Sequence, residues 1–196
     1  ERNPMHDVDS ELAAAFKAGQ TSALEALYWR HYERVWRYAR YFSGNDETAA
    51  EIVQETFERV TRNLAAFEGR SRFSTWLYTV VRSAAIDLTT RQLKAPRSLQ
   101  EDQMAQLEGS GEDPVSGLIG DETRLAVREA VTRLPEGERE AVILCELQEL
   151  PLGEACEILG WSESRIKVTL YRARQRLRSL LKDYVGTDQR SVISNQ

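Results

Sequence analysis

Residues 49–91 read AAEIVQETFERVTRNLAAFEGRSRFSTWLYTVVRSAAIDLTTR. In the first part Ala49, Ile52, Val53, Phe57, Val60 and Leu64 recur at spacings of three and four, which is the apolar stripe of one amphipathic helix. Leu77, Val80, Val81, Ala84 and Leu88 repeat the pattern in a second helix. The join, Phe67-Glu68-Gly69-Arg70-Ser71-Arg72-Phe73-Ser74-Thr75-Trp76, interleaves three aromatics with arginines. Two readings of it are open. The aromatics are anchors of a helical core and the arginines are solvated, or rings and cations together hold a nucleic-acid strand by stacking and neutralisation.

Working outward to the N-terminus, Asp9 or Ser10 can cap a short helix over 11–18 that Gly19 ends. A longer helix is predicted over 22–42, with Leu24, Leu27, Tyr28, Val35, Tyr38, Ala39 and Phe42 in its seam and Arg30, Arg34, Arg37 and Arg40 on its other face. Gly44-Asn45-Asp46 reads as a turn, and Asp46 is the expected cap of a helix over 47–64. With a helix over 74–91, these segments have apolar faces broad enough to form one bundle, the predicted domain 5–95. Residues 96–120 are rich in Gly, Ser, Pro, Gln and acids with little periodicity. That composition predicts a flexible linker and therefore a division into two domains.

Helical pattern resumes at Asp121 and defines the second predicted domain, 121–185, with a polar tail over 186–196. Helices are expected over 121–134 and 138–147. Pro151 opens a short one at its N1 position, with Leu152, Ala155, Cys156 and Leu159 inward and Gly160 at its end. Ser162 then caps a last helix whose inner residues are Ile166, Leu170, Ala173, Leu177 and Leu181. A short helix, a tight turn and a longer basic helix make a helix-turn-helix. A helix of that kind fits the major groove, with N-terminal side chains at base edges and later arginines at phosphates. Candidates for base edges are Ser164, Arg165, Lys167, Val168 and Thr169. Candidates for the DNA backbone are Arg172, Arg174, Arg176 and Arg178.

Charge supports a segregated task. The 196-residue chain has a formal net charge of −5, which argues against a general nucleic-acid binder. Yet Arg165, Lys167, Arg172, Arg174, Arg176, Arg178 and Lys182 give residues 165–182 a charge of +7 with no anion, whereas residues 92–121 carry −4. No run of about 18 apolar residues and no signal-peptide pattern occurs, so a cytoplasmic protein is expected. His6 and His31 stand apart from Cys145 and Cys156, so no metal set or cofactor is expected, and the two cysteines read as reduced core residues. No Gly-rich phosphate loop or nucleophile–base arrangement emerges, so an enzyme is not expected. A helix-turn-helix repressor acting alone, and a helical interaction protein with no nucleic-acid role, are the alternatives. The Gln54-to-Trp76 pattern of the first domain is unnecessary to the first, and the cation run from Arg165 to Lys182 opposes the second.

In order, Ala49-Ala50-Glu51-Ile52-Val53-Gln54-Glu55-Thr56-Phe57, Phe73-Ser74-Thr75-Trp76-Leu77-Tyr78 with Ala85-Ile86-Asp87, Leu134-Pro135-Glu136-Gly137-Glu138-Arg139, and Tyr171-Arg172-Ala173-Arg174-Gln175-Arg176-Leu177 resemble motifs of the extracytoplasmic-function sigma factors. These are small bacterial RNA polymerase sigma subunits of the sigma-70 family. The resemblance spans nearly all of residues 12–181. It implies an all-α fold of two helical domains, the sigma region 2 bundle and the sigma region 4 helix-turn-helix, and a role in transcription initiation. Glu51, Gln54 and Glu55 would dock the beta-prime clamp of the polymerase core, whose beta subunit is also an expected partner, and the acidic linker would thread the polymerase cleft toward the RNA exit path. Residues 69–91, with Arg70, Arg72, Phe73, Trp76, Arg82, Ser83, Asp87 and Arg91, would melt and hold the minus-10 promoter element. Ser164, Arg165, Lys167, Val168, Thr169, Arg172, Arg174 and Arg176 would read the minus-35 element. An anti-sigma factor, commonly membrane-tethered, would hold the protein inactive. Ser83, Leu88-Thr89-Thr90, Thr169 and Cys156 depart from the common pattern, in side chains that bear on promoter sequence.

Overall fold

The stripe and turn signals resolve into helices whose ends have identifiable causes. Our computed structural model describes residues 8–94 and 121–182. Among them the chain is all-α. Helices α1 (Val8–Lys17), α2 (Ser22–Ser43), α3 (Asp46–Asn63) and α4 (Phe73–Lys94) form the N-terminal set. Helices α5 (Asp121–Thr132), α6 (Glu136–Val142), α7 (Leu152–Leu159) and α8 (Glu163–Leu180) form the C-terminal set. The expected linker, 96–120, and tail, 186–196, lie outside the described residues.

Helix α1 begins earlier than expected, at Val8, and Asp9 is not its cap. Asp9 is buried and binds Arg30 Nε at 2.8 Å and His31 Nε2 at 2.9 Å, which ties α1 to α2. Burial opposes its ionisation, but the hydrogen bonds to His31 and Arg30 outweigh this and hold its carboxyl below the ordinary range. Helix α2 stops at Gly44, whose φ of 82° is left-handed and whose N–H reaches the Arg40 carbonyl at 3.0 Å. The cap of α3 is Asn45, not Asp46. The Asn45 side chain accepts from the Thr48 N–H at 2.7 Å. Asp46, inside the first turn, is engaged by Arg40 and Arg128 instead.

The helix expected over 138–147 changes character midway. After Val142 the segment Ile143–Leu147 widens to a π-helical turn, closed by Gln148 N–H on the Ile143 carbonyl at 2.9 Å. Glu149 then takes a φ of 53°, left-handed for a residue with a Cβ. Pro151 stands just before α7 as its cap position, not inside it. Cys145 and Cys156 are half-buried free thiols. Burial, with Glu146 and Cys156 nearby, pushes the Cys145 thiol up to about 11, away from reactive thiolate.

Each set has the core its sequence stripe predicts. Val35, Tyr38, Phe42, Ile52, Val60, Phe73 and Val81 meet inside α1–α4; Leu134, Ile143, Leu144, Ile166 and Ala173 meet inside α5–α8. The two cores are continuous, because α5 lies on α2 and α7 on α4.

Candidate nucleic-acid interface

Three surfaces carry the candidate residues, and a fourth feature, the seam between the two helix sets, governs two of them. On α3, Glu51 and Gln54 are exposed and Glu55 is half-buried. Glu55 receives Arg59 Nε at 2.7 Å, a hydrogen bond that lowers its carboxyl below the usual range. Gln54 donates to Glu58 at 3.1 Å and lines a groove between α2 and α3. The groove wall is aromatic: Tyr28, Tyr32, Trp36 and Phe57, with Tyr28 and Phe57 ring centroids 4.4 Å apart. Trp29, next to it, is 67 % exposed. Sequence reasoning placed Tyr28 and Phe57 inward and passed over Trp29, Tyr32 and Trp36. The only signal was the density of aromatics on one stretch of α2, which the seam pattern had already absorbed.

The second surface is the turn before α4 and the face of α4. Arg70 is exposed and pairs with Glu68. Phe73 is 1 % exposed, so its ring is a core anchor rather than a surface platform. It packs edge-on against Phe67 at 5.7 Å, and Trp76 packs on both rings at 5.2 and 5.6 Å while staying half-buried. Arg59 of α3 binds Ser83 Oγ at 3.0 Å and Asp87 at 2.9 Å. The structure therefore brings Ser83 and Asp87 together through a residue that sequence reasoning missed, although its place four positions after Glu55 marked it as an ion-pair partner. Arg91 is exposed at the far end of α4.

The third surface is the N-terminal half of α8. Gly160 (φ 66°) ends α7, Trp161 follows, and Ser162 Oγ accepts from the Arg165 N–H at 3.3 Å. Ile166, Leu170 and Ala173 are buried, which turns Ser164, Arg165, Lys167, Val168 and Arg172 outward; Thr169 is half-buried. Val168 and Tyr171 are 51 % and 64 % exposed, unusual for residues of their size on a solvated helix. Ser164, Arg165, Val168, Thr169 and Arg172 line one groove with Pro135, Gly137, Glu138 and Trp161. The later arginines are not equivalent. Arg174 pairs with Glu146, and Arg176 reaches Glu138 at 3.0 Å, so both pin α8 to α6 and the π-helical turn. Lys167 pairs with Glu163 within the helix.

At the seam, carboxylates of the C-terminal set meet arginines of the N-terminal set. Arg82 grips Glu140 with Nε at 2.6 Å and Nη2 at 3.3 Å. The Glu140 side chain is 2 % exposed and that of Arg82 is 29 %. Burial raises the Glu140 carboxyl above its ordinary value, and the Arg82 pairing only partly opposes this. Arg72 and Thr75 bind the two carboxylate oxygens of Glu154 at 3.0 and 3.3 Å. Tyr78, its hydroxyl pushed up to about 12 by burial, donates to the Gln148 side-chain amide oxygen Oε1 at 2.9 Å. Gln148 in turn donates to the Arg34 carbonyl at 3.0 Å. Arg139, in the first turn of α6, donates to the Phe42 carbonyl at 2.8 Å and lies over the Phe42 ring.

Comparison with known proteins gives concordant findings. The family models described as Sigma-70 region 2 and Sigma-70, region 4 match residues 27–94 and 124–177. The ECF RNA polymerase sigma factor SigM of Mycobacterium tuberculosis is 32 % identical over 180 residues, covering 91 % of this chain and 87 % of SigM. Two solved structures share the fold. CnrH in complex with the cytosolic domain of CnrY superimposes with a TM-score of 0.68 at 24 % identity, over 90 % of this chain and 99 % of CnrH. The sigma factor RpoE in complex with the anti-sigma factor NepR from Bartonella quintana gives 0.60 at 22 %, over 81 % and 98 %.

Proposed function

Because the chain belongs to the ECF RNA polymerase sigma factors of the sigma-70 family, we propose that its three surfaces divide one task, bringing bacterial RNA polymerase core to chosen promoters and opening the DNA there. Residues 5–95 act as region 2 and residues 121–185 as region 4, joined by 96–120. The observation that carries the reading is the outer face of α8. A capped turn sets Ser164, Arg165, Val168 and Arg172 along one exposed groove, while the apolar residues between them are buried. This is what a major-groove reader needs, since base-edge contacts demand side chains fixed in register.

In this reading Glu51, Gln54 and Glu55 meet the beta-prime clamp, and the adjoining aromatic groove supplies the apolar area that three polar residues lack. Arg70, Arg72, Arg82, Ser83 and Arg91 serve the minus-10 strand. Asp87 orients Arg59 and Ser83. Trp76 supports the turn from below, and Phe73 holds it from the core. On α8, Arg165 and Lys167 face base edges and Arg172 faces phosphate. Arg174 and Arg176 serve DNA only after exchanging Glu146 and Glu138 for phosphates.

The same exchange applies at the seam. Arg82 cannot reach DNA while the buried Glu140 holds it, and Arg72, itself exposed, is tied to Glu154, so promoter binding separates the two helix sets and replaces carboxylates with phosphates. Core binding is the event that stabilises the separated form. An anti-sigma factor, membrane-tethered or not, acts by the opposite bias. The chain supplies binding and positioning in the cytoplasm, and the polymerase supplies the chemistry. Among the described residues no helix is long and apolar enough to cross a membrane. Transcription from a promoter library by purified core with and without the protein, with permanganate mapping of unpaired thymines, tests the reading. Sequence-selective transcripts and an open minus-10 region are expected only with both components. Tight selective DNA binding by the protein alone, without core-dependent opening, would favour a repressor.

A further inference from the structure

We propose that Trp161 is a positioning residue for promoter specificity: its indole ring holds the Arg165 guanidinium in the orientation that reads a base of the minus-35 element. The proposal rests on the reading of α8 as the minus-35 reader. Arg165 lies over the Trp161 ring, 4.0 Å from its centroid. A guanidinium held against an aromatic face keeps the N–H donors at its edge available, whereas one held by a carboxylate does not. Lys167, Arg174 and Arg176 pair with carboxylates, whereas among the described residues Arg165, like Arg172 and Arg178, has no such partner. Of these three only Arg165 is held against an aromatic ring.

The ring is itself fixed. Trp161 is half-buried against the core of the C-terminal set, and its backbone N–H donates to the Cys156 carbonyl at 3.2 Å. Its far edge rests on Gly137, where a Cβ would come within 3.0 Å of Cη2. Ser162 fixes the other end by accepting from the Arg165 N–H. Backbone and guanidinium of Arg165 are thus both set before DNA arrives, so a bidentate contact to a guanine edge costs less rotamer freedom. Trp161, Arg165 and Gly137 line the same groove on the DNA-reading side of α8.

The test uses the full chain assembled with polymerase core, in competition binding to promoters carrying every single-base change in the minus-35 element. Circular-dichroism melts of each variant accompany it. Arg165→Ala should erase the preference at one base pair, a loss of about tenfold or more. Trp161→Leu should weaken the same preference by about five- to tenfold and leave the other positions unchanged. Trp161→Phe, which keeps an aromatic face, should retain most of it. The double variant Trp161→Leu/Arg165→Ala should lose no more than Arg165→Ala alone. If Arg165→Ala erases a preference that Trp161→Leu leaves intact, or if Trp161→Phe is as damaging as Trp161→Leu, the positioning role is overturned while the minus-35 reading stands. If Trp161→Leu weakens every sequence equally, the residue is structural and the proposal fails. If Arg165→Ala changes no base preference, the reading of Arg165 fails, and the role of Trp161 with it.

Discussion

Replacing Arg82 by Met keeps most of the apolar stem and removes the charge that faces Glu140. Glu140 is left with a 2 % exposed carboxylate facing no cation at 2.6 Å, and an orphaned buried charge of this kind costs about 3–5 kcal/mol. The reverse change, Glu140→Gln, leaves the charge on Arg82, which is 29 % exposed and can turn toward water. It should cost about 1–2 kcal/mol, near the worth of one charged hydrogen bond. The two halves of one ion pair are therefore unequal. Urea denaturation measures both stabilities, and fluorescence transfer between labels on α3 and α8 reports whether the helix sets stay together. Arg82→Met should be the less stable variant and the one with the longer mean distance at neutral pH. The pH dependence has a definite sign. The Glu140 carboxyl is raised above 4.5 in the packed form, so that form binds the proton more tightly than the separated or unfolded chain. Its contribution is fully present below the ordinary carboxylate value and is lost as pH rises through the raised value. Arg82→Met should exaggerate this, regaining stability on acidification. Equal costs for the two variants, or an Arg82→Met protein that loses stability as pH falls from neutral toward 5, would refute the reasoning.

Asp9→Asn should destabilise the protein by about 1–3 kcal/mol at neutral pH, because His31 and Arg30 lose a charged acceptor. Its carboxyl is held below 3.8, so in the unmodified protein this contribution is present above that value and disappears as pH falls through the lowered one; thermal melts from pH 7 to pH 2 check it. Gly44→Ala combines a left-handed φ with a Cβ that would stand 2.7 Å from Thr132 Cγ2, and should cost about 1–2 kcal/mol in a denaturation series. Adding Thr132→Ser should recover part of that loss, because it removes the colliding methyl. Reversing charge at Glu51 and Glu55 should weaken core association with helicity retained, and a native gel showing unchanged holoenzyme would remove α3 from the docking face.

Much of the helical layout was legible because it is periodic. The stripes through Ile52, Val53 and Val60, and through Ile166, Leu170 and Ala173, became buried faces. The Ser162 cap and the Gly160 stop were readable for the same local reason. Local chemistry misled where two residues could do one job. Asn45 and Asp46 are both good caps; Asn45 takes the role, and Asp46 is engaged by Arg40 and by the distant Arg128. The π-helical turn at Ile143–Leu147 has no composition of its own, so nothing in that stretch announced it. The seam was illegible for a different reason. Arg82 and Glu140 are 58 residues apart and Gln148 and Arg34 are 114 apart, and no periodicity connects them. The anion-free run on α8 implied free cations, yet Arg174 and Arg176 find Glu146 and Glu138 on other elements.

The central claim is that this chain confers promoter choice and DNA opening on RNA polymerase core. The most direct measurement is permanganate reactivity of thymines in the minus-10 region of a selected promoter, with core alone, protein alone and both. The account predicts reactive thymines with both and none with either, and loss of the signal when Arg72 and Arg82 are replaced together by Glu. Opening by core alone to the same extent, or an undiminished signal with that double variant properly folded, would contradict it.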